Sequence, residues 1–194
     1  TIYHGDCREI AREIAAFESC DGVIADPPYG ISHASHGQLF AAAAPIAGDE
    51  SAEMIDWVIE KCDGLRKPLA MFYSPYLPIG GWRSVLCWVK GEHVGIGGDR
   101  ATCWKRDFEL IGVRHNGPLA GKRESAILRF NALLPPPSGH FCEKPTALLG
   151  YLMRKMQIAS VFDPCCGSGS TLRAAADLGI KAIGIEIEER WCEI

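Results

Sequence analysis

A strand, a glycine turn and the start of a helix are predicted by the segment Phe162-Asp163-Pro164-Cys165-Cys166-Gly167-Ser168-Gly169-Ser170-Thr171. An apolar run at 159–162 leads into it, and Gly167 and Gly169 permit a tight turn whose backbone can approach a ligand closely. A helix predicted over 171–178 would offer unpaired N–H groups and a positive dipole end to an anionic group such as a carboxylate. The segment therefore predicts a ligand site between a strand and a helix.

The next predicted strand, at 182–187, carries an acid near its end. Glu186 stands where a carboxylate can accept hydrogen bonds from two ribose hydroxyls. The loop lacks the full Gly-x-Gly-x-x-Gly dinucleotide pattern, and the chain has no Gly-x-x-x-x-Gly-Lys-Ser triphosphate loop. These features favour a nucleoside with a small charged tail, which S-adenosylmethionine fits.

A second constrained loop is predicted at Asp26-Pro27-Pro28-Tyr29, after the apolar run at 22–25. Neither proline can donate a backbone N–H, and Pro27 keeps Asp26 away from helical dihedral angles. The loop would hold one carboxylate and one ring in fixed relative positions. Taken alone, the stretch is equally typical of a proline-rich surface turn.

The composition is that of an ordinary globular chain. Its 194 residues, 47% of them hydrophobic, fit one domain with a sizeable core. No run of eighteen apolar residues predicts a membrane span, and charges throughout residues 1–20 are unlike a signal peptide. The nine cysteines are odd in number and form no Cys-x-x-Cys pair, which favours reduced thiols in a cytoplasmic protein without a metal site.

Predicted strands and helices alternate along the chain. Strands are predicted at 2–4, 22–25, 69–73, 85–89, 109–113, 160–162 and 182–187, and helices at 7–17, 51–62, 146–156 and 171–178. Ser51 is the predicted N-cap of the second helix, a short broken helix is allowed at 75–82, and the irregular segment 31–50 is predicted to be a lid. This pattern predicts an α/β fold with a mostly parallel sheet covered on both faces.

Taken together, the motifs resemble those of the DNA amino-methyltransferases, which methylate adenine N6 or cytosine N4. The resemblance rests on Asp26-Pro27-Pro28-Tyr29, Asp163-Pro164-x-x-Gly167-Ser168-Gly169-Ser170-Thr171, His140-x-x-Glu143-Lys144-Pro145-x-x-Leu148-Leu149, Gly5-Asp6-Cys7 and Gly184-Ile185-Glu186-Ile187. It covers both ends and the centre of the chain. The catalytic loop precedes the cofactor loop, as in the β group of this family.

The resemblance implies a Rossmann-like class I methyltransferase fold that is circularly permuted. The family's seven strands have the spatial order 3-2-1-4-5-7-6. Here the chain would enter at strand 3 (residues 2–4), pass through 4, 5, 6 and 7, and close with strand 1 (160–162) and strand 2 (182–187). Residues 1–194 would form a single catalytic domain with a short target-recognition insert at about 91–137.

The resemblance also implies the roles of the site residues. Asp26 and the Pro27 carbonyl would accept hydrogen bonds from the target amino group, and Pro28 and Tyr29 complete the catalytic loop, with the Tyr29 ring stacked on a flipped base. Asp163 and the glycine turn would surround the methionine part of S-adenosylmethionine, Lys144 would lie near its carboxylate, Glu186 would bind the ribose, and Asp6 with Cys7 the adenine edge. The cofactor-binding set is Asp6, Cys7, Lys144, Asp163, Pro164, Cys165, Gly167, Ser168, Gly169, Ser170, Thr171 and Glu186. The family often has Phe at the position of Cys165.

Double-stranded DNA is the implied partner, although the net charge of −4 argues against binding of polyanions by the whole surface. Residues 100–129 contain seven basic and three acidic side chains, which is equally typical of a solvated loop face. Within this stretch the candidate phosphate contacts are Arg100, Lys105, Arg106, Lys122 and Arg123. The insert is short, so a dimer or another partner would supply the remaining contacts.

Several alternatives remain open from the sequence. Aspartate at position 26 favours adenine N6, whereas cytosine N4 enzymes more often carry Ser there, and RNA or protein glutamine amino-methyltransferases usually carry Asn. Pro164-Cys165 resembles the nucleophile pair of cytosine C5 enzymes, but it lies inside the cofactor turn and no Glu-Asn-Val occurs. A catalytically silent DNA-binding subunit with the same fold is a further alternative.

Overall fold

The computed structural model describes residues 1–29, 51–94, 104–105, 107–140 and 142–193. The predicted lid at 31–50 lies outside the described residues, and so do two predicted phosphate contacts, Arg100 and Arg106. Within the described ranges, no helix is both long and apolar enough to cross a membrane.

A mixed sheet of eight strands forms the centre of the described fold. Its strands are β1 Ile2–His4, β2 Gly22–Ala25, β3 Leu69–Tyr73, β4 Ser84–Val89, β5 Phe108–Arg114, β6 Ile127–Arg129, β7 Ser160–Asp163 and β8 Lys181–Glu186. Their spatial order is β1-β8-β7-β2-β3-β5-β4-β6. The first five strands in this order run parallel, β5 is antiparallel to both β3 and β4, and β6 is parallel to β4.

The predicted permuted order is confirmed for its seven strands, from β1 at one edge to β4. The sequence pattern does not predict β6, because residues 116–137 are rich in turn formers. This strand forms beside β4 because Leu128 is buried and the Trp88 indole N–H donates to the Phe130 carbonyl at 2.7 Å. The sheet therefore has eight strands rather than seven.

Six helices lie in the described part of the chain: α1 Cys7–Glu13, α2 Ala16–Ser19, α3 Glu53–Gly64, α4 Thr146–Lys155, α5 Ser170–Asp177 and α6 Glu189–Cys192. The continuous helix predicted over 7–17 is wrong, because Ala15, at φ 49°, separates α1 from α2. Ser51 is not the N-cap of α3. That position belongs to Ala52, while the Ser51 hydroxyl accepts the Glu53 N–H at 3.4 Å. Residues 75–82, all described, form a turn at 75–76 followed by irregular chain instead of the broken helix.

Two hydrophobic clusters cover the two faces of the sheet. Successive side chains of a strand point to opposite faces. Ile24 and Phe72 therefore pack in one cluster with residues of α4 and α5, whereas Val23 and Met71 pack in the other with residues of α1, α2 and α3. Burial on both faces explains why β2 and β3 are apolar at nearly every position.

The carboxyl ends of β2, β7 and β8 meet at one edge of the sheet. Val23 pairs with Phe162, and Phe162 with Ile183, so these three strands run side by side in parallel. Asp26 directly follows β2, while Asp163 and Glu186 end β7 and β8. This edge thus collects the three acids that the sequence assigns to the site.

Gly112 allows a close aromatic contact on β5. A Cβ atom at this position would lie 2.3 Å from the Trp82 ring, which stacks on Tyr73 with a centroid distance of 5.5 Å. We expect Gly112→Ala to lower the free energy of unfolding by about 1–3 kcal/mol, because an overpacked contact must be relieved by movement of the ring or the strand. Urea denaturation would measure the change.

Gly64→Ala is the matched control for this substitution. A Cβ at position 64, in the last turn of α3, would meet nothing within 4 Å. The control should keep or slightly raise the free energy of unfolding, because alanine favours helix. Wild-type stability in Gly112→Ala would contradict the close packing of Trp82.

Candidate active site

Both oxygens of the Asp26 carboxylate have partners. The Tyr29 hydroxyl donates to Oδ1 at 2.9 Å, and the Lys144 ammonium donates to Oδ2. The Asp26 side chain is still 24% exposed, so a ligand can reach it. Burial and the nearby Asp26 charge raise the pKa of Tyr29 well above its usual range, which keeps this hydroxyl a donor. The loop therefore presents an oriented carboxylate, as the two prolines predict.

Lys144 is buried, although lysine is rarely found inside proteins without a partner. Its Nζ lies 3.5 Å from Glu109 Oε2, 3.4 Å from the Cys142 carbonyl oxygen and 5.0 Å from the Phe72 ring centroid. Burial lowers the pKa of Lys144, but the Asp26 and Glu109 charges outweigh it and raise the pKa above its usual value. Lys144 is therefore a fixed ammonium beside Asp26, and its predicted contact with the cofactor carboxylate stays a prediction.

Glu109, on β5, extends this ion pair into a network. Its Oε1 accepts from the Lys90 ammonium at 2.5 Å, and Lys90 in turn lies 5.4 Å from the Trp88 ring centroid. Burial raises the pKa of Glu109, but Lys144 and Lys90 together hold it below its usual value. Acids and bases thus alternate in the order Asp26, Lys144, Glu109, Lys90. The sequence offers Glu109 only as an acid within a basic segment.

Asp163 ends β7 at the entrance to the glycine turn. Its Oδ1 accepts the Cys165 N–H at 3.1 Å, and the Thr171 side chain also donates to it. Burial outweighs these bonds and raises the pKa of Asp163 to about 7, with the Asp26 and Glu186 charges adding to the effect. Among the described residues, no Lys, Arg or His forms an ion pair with Asp163. A cation placed here would gain a strong electrostatic partner.

The turn itself has the backbone that glycine permits. Gly167 and Gly169 have φ angles of 49° and 76°, a region that other residues rarely adopt. Gly169 precedes the first residue of α5, so the N-terminal N–H groups of this helix open onto the turn. Ser168, Ser170 and Thr171 are buried, and Pro164 is buried beside them. The predicted strand, turn and helix are therefore formed as expected.

Glu186 is tied to the same turn. One carboxylate oxygen accepts the Gly167 N–H at 2.7 Å, and the other accepts the Glu188 N–H at 2.8 Å. Each oxygen has a second lone pair, so the carboxylate can accept two further hydrogen bonds. The His140 ring lies over the turn, because a Cβ on Gly167 would be 3.2 Å from His140 Nε2, and this ring meets Trp191 edge-on at 4.7 Å.

Asp6 and Cys7 lie beside Glu186, because the Gly5 N–H donates to the Glu186 carbonyl at 2.9 Å. The Asp6 carboxylate caps α1 by accepting the Arg8 N–H and forms an ion pair with the Arg8 side chain at 2.6 Å. This pairing holds the pKa of Asp6 below its usual range. Their predicted contact with an adenine edge stays a prediction.

Cys165 packs against Cys7 rather than facing an activating base. The contact with the Cys7 thiol, together with burial, raises the pKa of Cys165 well above its usual value. A nucleophilic cysteine requires a lowered pKa, usually from a cation or a helix N-terminus. Cys165 therefore lacks the environment of a cytosine C5 methyltransferase nucleophile. The eight described cysteines are all free thiols, and the described residues contain no cluster suited to a metal.

An ion pair that the sequence does not predict joins the segment before α4 to the glycine turn. The Arg173 guanidinium donates to Glu143 Oε1 at 2.5 Å and to the Ser168 carbonyl at 2.6 Å. The second Glu143 oxygen accepts from the Ser138 N–H at 3.0 Å and from its hydroxyl at 2.6 Å. Glu143 precedes Lys144, so this clamp fixes the lysine segment against the glycine turn. In the sequence, the only sign of this ion pair is the acid directly before Lys144.

The described phosphate candidates lie apart from this network. Lys105, Lys122 and Arg123 are exposed, and the turn that carries the last two is held by the Lys155 ammonium, which donates to the Lys122 carbonyl at 2.6 Å. The structure describes no contact that brings these three side chains together. Arg100 and Arg106 lie outside the described residues, so this set stays a prediction.

Comparison with known proteins finds one family model that matches part of the chain and several solved structures with a similar fold. The family model described as DNA methylase, for N6 and N4 enzymes, matches residues 100–194. M1.HpyAVI in complex with SAM is 21% identical, with a TM-score of 0.69 over 100% of this chain and 96% of that one. TTHA0409 of Thermus thermophilus, complexed with S-adenosyl-L-methionine, is 19% identical, with a TM-score of 0.53 over 99% and 91%.

A third solved structure is the cytosine-N4-specific PvuII DNA methyltransferase. It is 13% identical, with a TM-score of 0.62 over 98% of this chain and 83% of that one. No curated protein sequence matches the chain. These likenesses confirm the class I methyltransferase fold. They do not distinguish adenine from cytosine as the target base.

The raised pKa of Asp163 predicts a pH-dependent stability. Because its pKa of about 7 in the folded protein exceeds the ordinary 3.8, the folded state binds more protons than the unfolded state between these values. The Asp163 contribution is therefore fully present below pH 4 and is lost as the pH rises through 7. We expect Asp163→Asn to gain stability relative to wild type over this range, by up to roughly 4 kcal/mol.

Urea denaturation of both proteins at pH 4.5, 6 and 7.5 would measure this difference. The comparison between the two proteins cancels the titration of groups that do not interact with Asp163. A difference that stays constant with pH would contradict the raised pKa of Asp163.

The clamp predicts a local loosening of the glycine turn. Glu143→Gln keeps the shape of the side chain but removes the charge that holds Arg173, so we expect a loss of roughly 2 kcal/mol in unfolding free energy. Amide exchange at residues 167–170 should accelerate, because Arg173 also holds the Ser168 carbonyl. Hydrogen-exchange mass spectrometry would measure it.

Glu124→Gln provides the control, since it breaks an exposed pair in which Lys155 Nζ lies 3.6 Å from Glu124. Its effect on stability should be smaller than that of Glu143→Gln, because an exposed ion pair contributes little. Unchanged exchange in the turn of Glu143→Gln would show that Arg173 does not order it.

Proposed function

Because residues 100–194 match the DNA methylase family of N6 and N4 enzymes, we propose that the chain transfers a methyl group from S-adenosylmethionine to the exocyclic amino group of a DNA base. The observation that carries this proposal is the adjacency of β2 and β7, which places the Asp26 carboxylate beside the glycine turn. An amino group on Asp26 and a cofactor on the turn would thus share one edge of the sheet.

The residues at this edge fit S-adenosylmethionine. Asp163 is a buried carboxylate without a cationic partner among its described neighbours, which suits the ammonium of a methionine tail. The N-terminus of α5 suits the carboxylate of that tail, and Glu186 keeps two acceptor sites for ribose hydroxyls. When bound, the cofactor supplies an electrophilic methyl group on a sulfonium. The solved structures of M1.HpyAVI and TTHA0409 with this molecule support the assignment.

Asp26 would act on the amino group as an acceptor. The amino nitrogen of adenine or cytosine is a poor nucleophile, because its lone pair is delocalised into the ring. Hydrogen bonds from its two hydrogens to the Asp26 carboxylate and the Pro27 carbonyl would localise that lone pair and aim it at the methyl group. This is catalysis by orientation and by electrostatics, in a site where Asp26 is only 24% exposed.

Tyr29 makes two contributions in this scheme. Its hydroxyl donates to Asp26 at 2.9 Å and so fixes the plane of the carboxylate, while its ring packs against both hydrophobic clusters. The predicted stacking on the base would use the ring without breaking that hydrogen bond. A base inside a duplex cannot reach Asp26, so the target nucleotide would have to be flipped out of double-stranded DNA.

We further propose adenine N6 as the methylated atom, with cytosine N4 as the alternative. Asp26 supports adenine, because the resembling cytosine N4 enzymes more often carry Ser at that position. The likeness to the cytosine-N4-specific PvuII enzyme supports the alternative. Residues 91–137 would contact the DNA around the target through Lys105, Lys122 and Arg123 together with Arg100 and Arg106. A homodimer would extend this short surface.

Removal of the Asp26 carboxylate tests the proposal. We expect Asp26→Ala to lower kcat for methyl transfer by at least about 100-fold, because the acceptor of the amino hydrogens is lost. The affinity for S-adenosylmethionine should change less than about threefold, because the glycine turn is held by Glu186 and Arg173 and not by Asp26. Transfer of labelled methyl groups to unmethylated DNA and calorimetric binding would measure these quantities.

Asp63→Asn is the control. Asp63 pairs with Arg114 near the amino ends of the strands, away from Asp26. Nucleoside analysis of the product decides the base: 6-methyladenine supports the adenine proposal, and 4-methylcytosine as the sole product replaces it. Cofactor binding without transfer to any DNA would instead support a silent subunit.

A further inference from the structure

Glu109 has a carboxylate oxygen without a hydrogen bond beside the ion pair of Asp26 with Lys144. Its Oε2 is buried and makes no hydrogen bond to any described residue, whereas its Oε1 accepts from Lys90 at 2.5 Å. Buried carboxylate oxygens usually have a hydrogen-bond donor, because an unmet acceptor in the interior is costly. The Lys144 ammonium forms an ion pair with this oxygen at 3.5 Å, which is longer than an ordinary hydrogen bond.

The other side of Lys144 is occupied by Asp26. Its Oδ2 accepts from the ammonium, and its Oδ1 accepts from Tyr29. A target amino group that donates to Oδ2 would have to share this oxygen with a full positive charge, which weakens the oxygen as an acceptor. A shift of the ammonium by less than about 1 Å toward Glu109 would give it a charge-assisted hydrogen bond of ordinary length.

From this arrangement we propose that Glu109 is a positioning residue, which receives the Lys144 ammonium when the target amino group takes its place on Asp26. The inference rests on the proposed function, since it concerns how Asp26 becomes available to the amino group. Lys144 would be paired in both states, so no isolated charge is left in the interior at any stage. The Phe72 ring at 5.0 Å could offer the ammonium only weak support on its own.

Without the Glu109 charge, the exchange becomes unfavourable. Lys144 would have Asp26 as its sole anionic partner among the described residues, and the amino group would have to break that ion pair. The cost falls on substrate binding rather than on the cofactor site, because the glycine turn is held separately by Glu186 and by the clamp of Glu143 with Arg173. A rise in KM for DNA is therefore the expected signature.

Two substitutions separate this role from a structural one. Glu109→Gln and Lys90→Met both break the Lys90–Glu109 ion pair, but only Glu109→Gln removes the negative charge that faces Lys144. We expect Glu109→Gln to raise the KM for DNA about tenfold, which corresponds to one charge-assisted hydrogen bond, with an unchanged Kd for S-adenosylmethionine. Lys90→Met should keep the KM at or below the wild-type value, because Glu109 is then freer to attract Lys144.

The measurement is labelled methyl transfer to unmethylated DNA, with cofactor binding and thermal unfolding recorded for each variant. Glu109→Asp retains the charge, so its KM for DNA should lie between those of the wild type and Glu109→Gln. In a Lys144→Met background, Glu109→Gln should no longer change the KM, because the mobile partner is gone. An equal rise in KM for Glu109→Gln and Lys90→Met, or an unchanged KM for Glu109→Gln, would overturn the inference.

Failure of the proposed function looks different. In that case the wild-type protein itself transfers no methyl group to DNA, and the inference falls with it. Wild-type transfer combined with either of the two overturning results removes the inference alone. If Glu109→Gln does not fold, Glu109→Asp is compared with Lys90→Met instead. A KM for DNA that rises as much or more for Lys90→Met than for Glu109→Asp would overturn the inference.

Discussion

The pairing of β2 with β7 is the constraint on which the candidate site depends. Val23 lies opposite Phe162 in a parallel register, although these residues come from the two ends of the chain. Adjacent strands are only about 4.8 Å apart, so groups that follow them at the same edge become neighbours. Helices on both faces bury this central pair, and burial on both faces fixes the register because a slip by one residue would exchange the two sets of side chains. Asp26 and the glycine turn share an edge for this reason alone.

The edge concentrates negative charge, and each acid is accommodated differently. Asp26 and Glu109 share the buried Lys144 ammonium, whereas Glu186 accepts two backbone N–H groups. Asp163 forms no ion pair with a described residue, and burial raises its pKa to about 7. Charges that are already paired gain little from a cationic ligand, whereas an unpaired buried acid gains most. The distribution therefore singles out Asp163 as the group that a positively charged ligand would approach, and leaves Asp26 for a neutral donor.

The sequence predicts the positions of most strands and of both loops from local patterns that a single chain displays, whereas the strand order is implied by the resemblance to the amino-methyltransferases. Apolar runs mark the buried strands, and glycine and proline mark the turns. The partner of Lys144 could not be predicted in this way, since Asp26 lies 118 residues away in the chain. Its second neighbour depends on the antiparallel register of β5, which places Glu109 opposite Trp88. The sequence does not predict strand β6, because three residues with one buried side chain, Leu128, leave almost no periodic signal.

The Asp26 site also explains why the target base is harder to predict than the chemistry. Each oxygen of its carboxylate already accepts one donor, from Tyr29 or from Lys144, so an incoming amino group meets oxygens that are partly engaged. The net gain from one further hydrogen bond is small, and it depends on the N–H donors alone. Adenine N6 and cytosine N4 both present two N–H donors on an aromatic ring. The acceptor therefore recognises the amino group, and discrimination between the bases must come from the walls that contact the rest of the ring.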